Sequence, residues 1–111
     1  MAGYTFVFSD IQGSTALWEA FPSEMDTALA RHDELLQRVV TECGGEVFKH
    51  TGDGMAAAFK GPFAAFDAAL QAPRAVLNED WGVIGSLKIR IGAHAGEVHE
   101  RDGDYFGASL N

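Results

Sequence analysis

Thr51-Gly52-Asp53-Gly54 is a tight hairpin signal set between two short strand-forming runs, Glu46 to His50 and Met55 to Phe59. Helix-length segments flank it on both sides. On the N-terminal side, from Met25 onward, Ala28, Leu29, Leu35, Leu36, Val39, Val40 and Cys43 recur at helical spacing, and Gly44-Gly45 supplies the stop. On the other side, Pro62 fits the first turn of a second helix running through Phe63, Phe66, Ala69 and Leu70, which Pro73 is expected to kink or end. A hairpin held between two helices leaves few arrangements open.

The remaining segments narrow the choice. Tyr4 to Ser9 alternates aromatic and β-branched residues as a buried strand does, with Asp10 at its C-terminal end. Ser14 to Glu19 reads as a short helix interrupted near Phe21-Pro22. Ser23 then looks like the N-cap of the long helix, with Asp26 as a weak capping-box partner. Residues 78–85 read as a loop. Leu87 to His94 is a strand with Leu87, Ile89, Ile91 and Ala93 inward, Glu97 to Arg101 is another, and Asp102-Gly103 turns the chain again. Strand, helix pair, strand, strand, helix, strand, strand is an α+β, ferredoxin-like split βαβ plan, a mainly antiparallel sheet with helices on one face. That plan serves several unrelated functions, so function has to be read from particular residues.

Bulk properties exclude some classes. At 111 residues and 47% hydrophobic the chain is one domain with a modest core. Eight Lys plus Arg against sixteen Asp plus Glu give a formal charge of -8, which disfavours nucleic acid and anionic lipid as partners. A nucleotide would need metal ions to approach. Cys43 has no partner for an internal disulfide, no apolar run approaches the roughly 20 residues of a membrane span, and M-A-G-Y-T lacks signal-peptide character. A reducing, cytoplasmic location is the expectation.

Asp10 and Asp53 carry the chemistry. Each ends a short apolar run and each adjoins a glycine-containing turn. Backbone N–H groups around Gly13, Ser14 and Thr15 can face an anion such as a triphosphate. If the two strand ends are neighbours, two carboxylates face that turn, the makings of a two-metal phosphoryl-transfer site. Taken singly, Asp10 is better read as a helix cap and Asp53 as a turn residue; taken together, they favour the metal role.

F-S-D-I-Q-G-S-T, F-K-H-T-G-D-G, R-I-G-A-H-A-G-E and R-D-G-D-Y-F-G-A-S-L-N, in this order and spacing, resemble the class III adenylate/guanylate cyclase catalytic domain of the compact bacterial type. The likeness runs from about Tyr4 to Asn111. It implies a ferredoxin-like core acting as a head-to-tail homodimer with composite sites at the interface. Position by position, it implies that Asp10, Asp53 and the backbone carbonyl of Ile11 contact two Mg²⁺ or Mn²⁺ ions. Lys49 and Asp104 match the pair that reads adenine: an ammonium meets ring N1 and a carboxylate accepts from the exocyclic amine, whereas guanine reverses both edges. ATP is therefore the expected substrate, with GTP the other candidate. Asn111 matches the catalytic, ribose-orienting asparagine. In the family an arginine follows four residues later and a basic residue further on, so the resemblance covers a domain lacking its C-terminal third, with impaired turnover expected. The competing reading is a non-catalytic, cyclase-derived module that binds nucleotide or another protein.

Other features point elsewhere only superficially. Gly44-Gly45-Glu46-Val47-Phe48 looks like a diguanylate cyclase signature but follows a long helix and opens a strand, so it reads as a helix stop. His32, His50, His94 and His99 lack the paired spacing of a zinc site and read as packing or surface residues. Trp18, Phe21, Phe63 and Phe66 are expected in core or dimer packing, and the basic patches of an RNA-recognition fold are absent.

Overall fold

The computed structural model of the chain describes residues 3–97, 99–101 and 104–106. β1 (Gly3–Ile11) leads into α1 (Ser14–Ala20) and α2 (Pro22–Glu42); the hairpin β2 (Glu46–Thr51) and β3 (Gly54–Phe59) follows, then α3 (Pro62–Asn78), a 3-10 turn at Gly82–Ile84, β4 (Ile89–Glu97), β5 (His99–Arg101) and β6 (Asp104–Phe106). The main sheet has the order β2-β3-β1-β4, every neighbouring pair antiparallel. This is the expected α+β, split βαβ arrangement. β5 and β6 form a separate two-stranded ribbon with Arg101 opposite Asp104. The expected turn residues Asp102 and Gly103 lie outside the described residues.

Alternation along β1 sorts its side chains between two environments. Val7 and Ile11 join Met55, Ala57 and Phe59 of β3 in one cluster with Met25, Leu35, Leu36, Val39 and Val40 of α2 and Ala65, Ala68, Ala72 and Val76 of α3. The small alanine face of α3 lets that helix approach the sheet closely. Phe6 points to the opposite face, fully buried against Ala58, Tyr4 and Phe48, with the Phe48 ring edge-on to it at 6.0 Å.

The end of α2 shows how local chemistry sets an element boundary. Gly44 adopts φ 85°, its N–H donates to the Thr41 carbonyl at 3.0 Å, and the Gly45 N–H donates to the Val40 carbonyl at 2.8 Å. Those two bonds are the Schellman pattern, so the glycine pair does stop the helix. Gly45 is needed for a second reason. A Cβ there would stand 2.3 Å from Cε1 of the buried Phe59 ring.

Two expectations are corrected, at Ser23 and Ala93, and two are narrowed, at Pro73 and for the exposed aromatics. α2 begins at Pro22, with Phe21 as its N-cap residue and no side-chain capping bond, so Ser23 is not the cap. Proline is suited to the first helical position because its missing N–H has no partner there anyway. α3 runs through Pro73 to Asn78, since burial of Ala72 and Val76 on either side offsets one lost hydrogen bond. Ala93 is exposed; only Leu87, Ile89 and Ile91 of its series pack on the core, because the far half of β4 extends past it. Of the core or dimer packing expected for four aromatics, Trp18 and Phe21 pack against the core, whereas Phe63 and Phe66, 86% and 54% exposed on α3, lie outside it. His32 is fully buried while His50 and His94 are exposed.

Candidate functional site

Asp10 ends the alternating run of β1 on the face away from the helices, the face shared by Phe6 and Phe8. Pairing of Ser9 with Met55 brings the next residues of β1 alongside the hairpin turn. That turn has two residues between the paired Thr51 and Gly54, and Gly52 takes φ 59° as the first position of a primed hairpin turn demands. Asp53, the second turn residue, accepts a hydrogen bond on Oδ2 from the Ile11 backbone N–H at 3.2 Å. Strand end and turn are thus tied together across 42 positions of sequence.

Lys49 reaches the same face by a different device. Val47 pairs with Ala57, but Lys49 pairs with Ala56, so Phe48 is an extra residue in β2. Strict alternation would turn Lys49 to the helix side with Val47. The bulge instead sends both Phe48 and Lys49 to the open face, where Lys49 lies in a row with Ala56 and Phe8.

Asp10, Asp53 and Lys49 consequently line one cleft of about 470 Å³, together with Phe8, Thr51 and Met55. Gly13, Ser14 and Thr15 are not among its lining residues, although they follow closely on Asp10; Gly13 takes φ 68° and opens α1 without a side-chain cap. Ile11 contributes its backbone N–H to Asp53, and its side chain is buried in the core. Asp104 begins β6, and Asn111 lies outside the described residues.

One residue at this site escaped the sequence reading. Arg90 of β4 stands directly opposite Asp10, with Nε donating to Oδ1 and Nη2 to Oδ2, both at 2.8 Å. This bidentate hydrogen bond holds the Asp10 carboxyl below the usual carboxylate range, and the same contact raises the Arg90 guanidinium, which also feels the charge of Asp53. The signal available in sequence was its place between Ile89 and Ile91, which puts Arg90 on the face opposite theirs.

The donor set fits a hard divalent cation. Two carboxylates from adjoining strand ends open on one cleft, and Mg²⁺ or Mn²⁺ favours one or two protein carboxylates with remaining positions left to water and phosphate oxygens. Among the described residues no group of three or more His, Cys, Asp or Glu side chains forms a cage of protein ligands alone. No described helix is long and apolar enough to cross a membrane.

A split βαβ sheet with paired carboxylates at the ends of its first strand and first hairpin defines a class, and the chain belongs to it: the adenylate and guanylate cyclase catalytic domain family, whose pattern matches residues 2–104. Particular relatives follow from there. An uncharacterised protein of Mycobacterium tuberculosis is 35% identical over 109 residues, covering 96% of this chain and 36% of that one. A receptor-type adenylate cyclase of Trypanosoma equiperdum is 40% identical over 78 residues, covering 70% of this chain and 17% of that protein. An adenylate cyclase structure from Trypanosoma brucei, described in its monomeric state, superposes with a TM-score of 0.87 at 26% identity, covering 98% of this chain and 65% of that one. The chain therefore spans about a third of the mycobacterial relative and just under two thirds of the trypanosomal structure.

Proposed function

We propose that this domain converts ATP to cyclic AMP and pyrophosphate. The observation that carries the reading is the convergence of the Asp10 and Asp53 carboxylates, from the first strand end and the first hairpin turn, on one open cleft. Asp10 and Asp53, with the Ile11 carbonyl, are the residues that would hold Mg²⁺ or Mn²⁺. A pair of such ions, when bound, supplies Lewis-acid activation of the ribose 3′-hydroxyl and neutralises charge on the phosphates.

The reaction forms one bond and breaks another. The 3′-oxygen attacks the α-phosphorus, pyrophosphate leaves with the electron pair of the broken P–O bond, and the hydroxyl proton passes to solvent. Lys49 donates to ring N1 of adenine and Asp104 accepts from its amino group, while Asn111 orients the ribose; Gly13, Ser14 and Thr15 offer backbone N–H groups to the triphosphate. The working form is a homodimer in which the carboxylates of one copy face Lys49, Asp104 and Asn111 of the other. Family membership supports this reading, and so do the adenylate cyclases among the similar proteins.

The test is cyclic nucleotide formation from ATP and, separately, from GTP with Mn²⁺. Cyclic AMP is expected from ATP, with a loss of about 100-fold or more for Asp10→Asn and Asp53→Asn. Nucleotide binding that survives both substitutions, with no cyclic product from the wild type, would overturn the catalytic reading and leave a binding module.

A further inference from the structure

Both oxygens of Asp10 are engaged by Arg90. The Arg90 fork meets them at 2.8 Å each, held in place by a register that sets the two residues directly opposite on β1 and β4. Asp53 differs. Among the described residues, only its Oδ2 takes a hydrogen bond, and from a backbone N–H rather than a cation. Of the two carboxylates on the cleft, one is therefore ready for a cation and the other already carries one. Arg90 is 69% exposed in its side chain, so it has solvent to swing into.

A guanidinium and a divalent cation compete for that carboxylate. The bidentate fork takes one lone pair on each oxygen, and a divalent cation drawn to the other pairs would stand a few ångströms from the guanidinium, where like charges repel. Taking both interactions away from Asp10 would instead leave two neighbouring carboxylates repelling each other.

We propose that Arg90 is a positioning residue that stands in for the divalent cation at Asp10, releasing the carboxylate only as a metal takes its place. The proposal rests on the reading of Asp10 and Asp53 as metal ligands. The stand-in keeps the metal-free sheet end electrically compensated and fixes the Asp10 rotamer. It also weakens apparent metal affinity, because the competent carboxylate is populated only when Arg90 has let go. Metal binding is then a displacement of one cation by another.

The test uses the whole chain without nucleotide, at fixed ionic strength, with free Mn²⁺ followed by electron paramagnetic resonance. Arg90→Gln is expected to tighten Mn²⁺ binding by roughly three- to tenfold, and Arg90→Lys, which keeps the charge but loses the fork, by less. In the wild type, the Arg90 Nε–H resonance is expected to shift on Mg²⁺ addition, and to stay put in Asp10→Asn. Mn²⁺ binding to wild type that Arg90→Gln leaves equal or weaker, in a variant of native circular dichroism, overturns the stand-in role alone. An Nε–H signal unmoved at saturating Mg²⁺ does the same. If neither the wild type nor Arg90→Gln binds Mn²⁺, the metal-ligand reading falls and takes the proposal with it.

Discussion

Gly45 has no room for a side chain. With Phe59 only 1% exposed and its ring 2.3 Å from where a Cβ would stand, Gly45→Ala must push a core aromatic or bend the start of β2. Overpacking of this kind costs about 1–3 kcal/mol, readable as a lower urea midpoint. Phe59→Leu in the same chain is expected to recover part of that loss; an unchanged midpoint in Gly45→Ala alone would show that the ring moves freely. Sequence reading assigned the glycine pair correctly as a helix stop, but only for the reason that Gly44 supplies. The need at Gly45 comes from a residue fourteen positions away, invisible to any local pattern. Ser23 illustrates the reverse case: a good capping residue by chemistry lost to Pro22, whose fixed φ already suits the first turn.

Elements are joined here by packing more than by charge, yet one ion pair fastens the two long helices. Arg31 of α2 donates from Nε to Glu79 Oε2 at 2.8 Å and from Nη2 to Oε1 at 3.3 Å, where Glu79 caps the end of α3. The hydrogen bond from Arg31 holds the Glu79 carboxyl below its usual value. A lowered carboxylate stabilises the fold above its unfolded-state pKa and loses that contribution as pH falls through its folded value. Wild type is therefore expected to melt slightly above Glu79→Gln at neutral pH, and the gap to close as acid is added below the ordinary carboxylate range. Because the pair is solvent-exposed the gap is small and shrinks in salt. A gap that persists or widens at low pH would show that the carboxylate is not its source. The order and type of every main-sheet strand and long helix were legible from periodicity and turn residues. Of the helix ends, the one left open at Pro73 was decided by burial, since Ala72 and Val76 hold the helix to the sheet, and the one misread at Ser23 by the backbone of Pro22.

At the scale of the whole molecule, one chain carries Asp10, Asp53 and Lys49 on a single cleft, while the proposed enzyme draws the carboxylates and the lysine of each site from different copies. Mixing decides between these. Asp10→Asn and Lys49→Glu are each expected to be nearly inactive, and an equal mixture to recover about a quarter of wild-type activity, since half of the dimers then contain one intact composite site of two. No recovery on mixing, from chains that do associate in sedimentation, would place the working lysine beside the carboxylates of its own chain. By itself the sequence determined the element order, the hairpin, the Gly44 stop and the positions of both carboxylates at strand ends, because each depends on neighbours within a few residues. Tertiary structure alone decided which face Lys49 occupies, through the bulge at Phe48, and which charge Asp10 meets, through the register that sets Arg90 opposite it. Alternation fixes the parity of a strand locally, but the partner across the sheet is chosen by pairing between segments 80 residues apart, where no short-range pattern reaches.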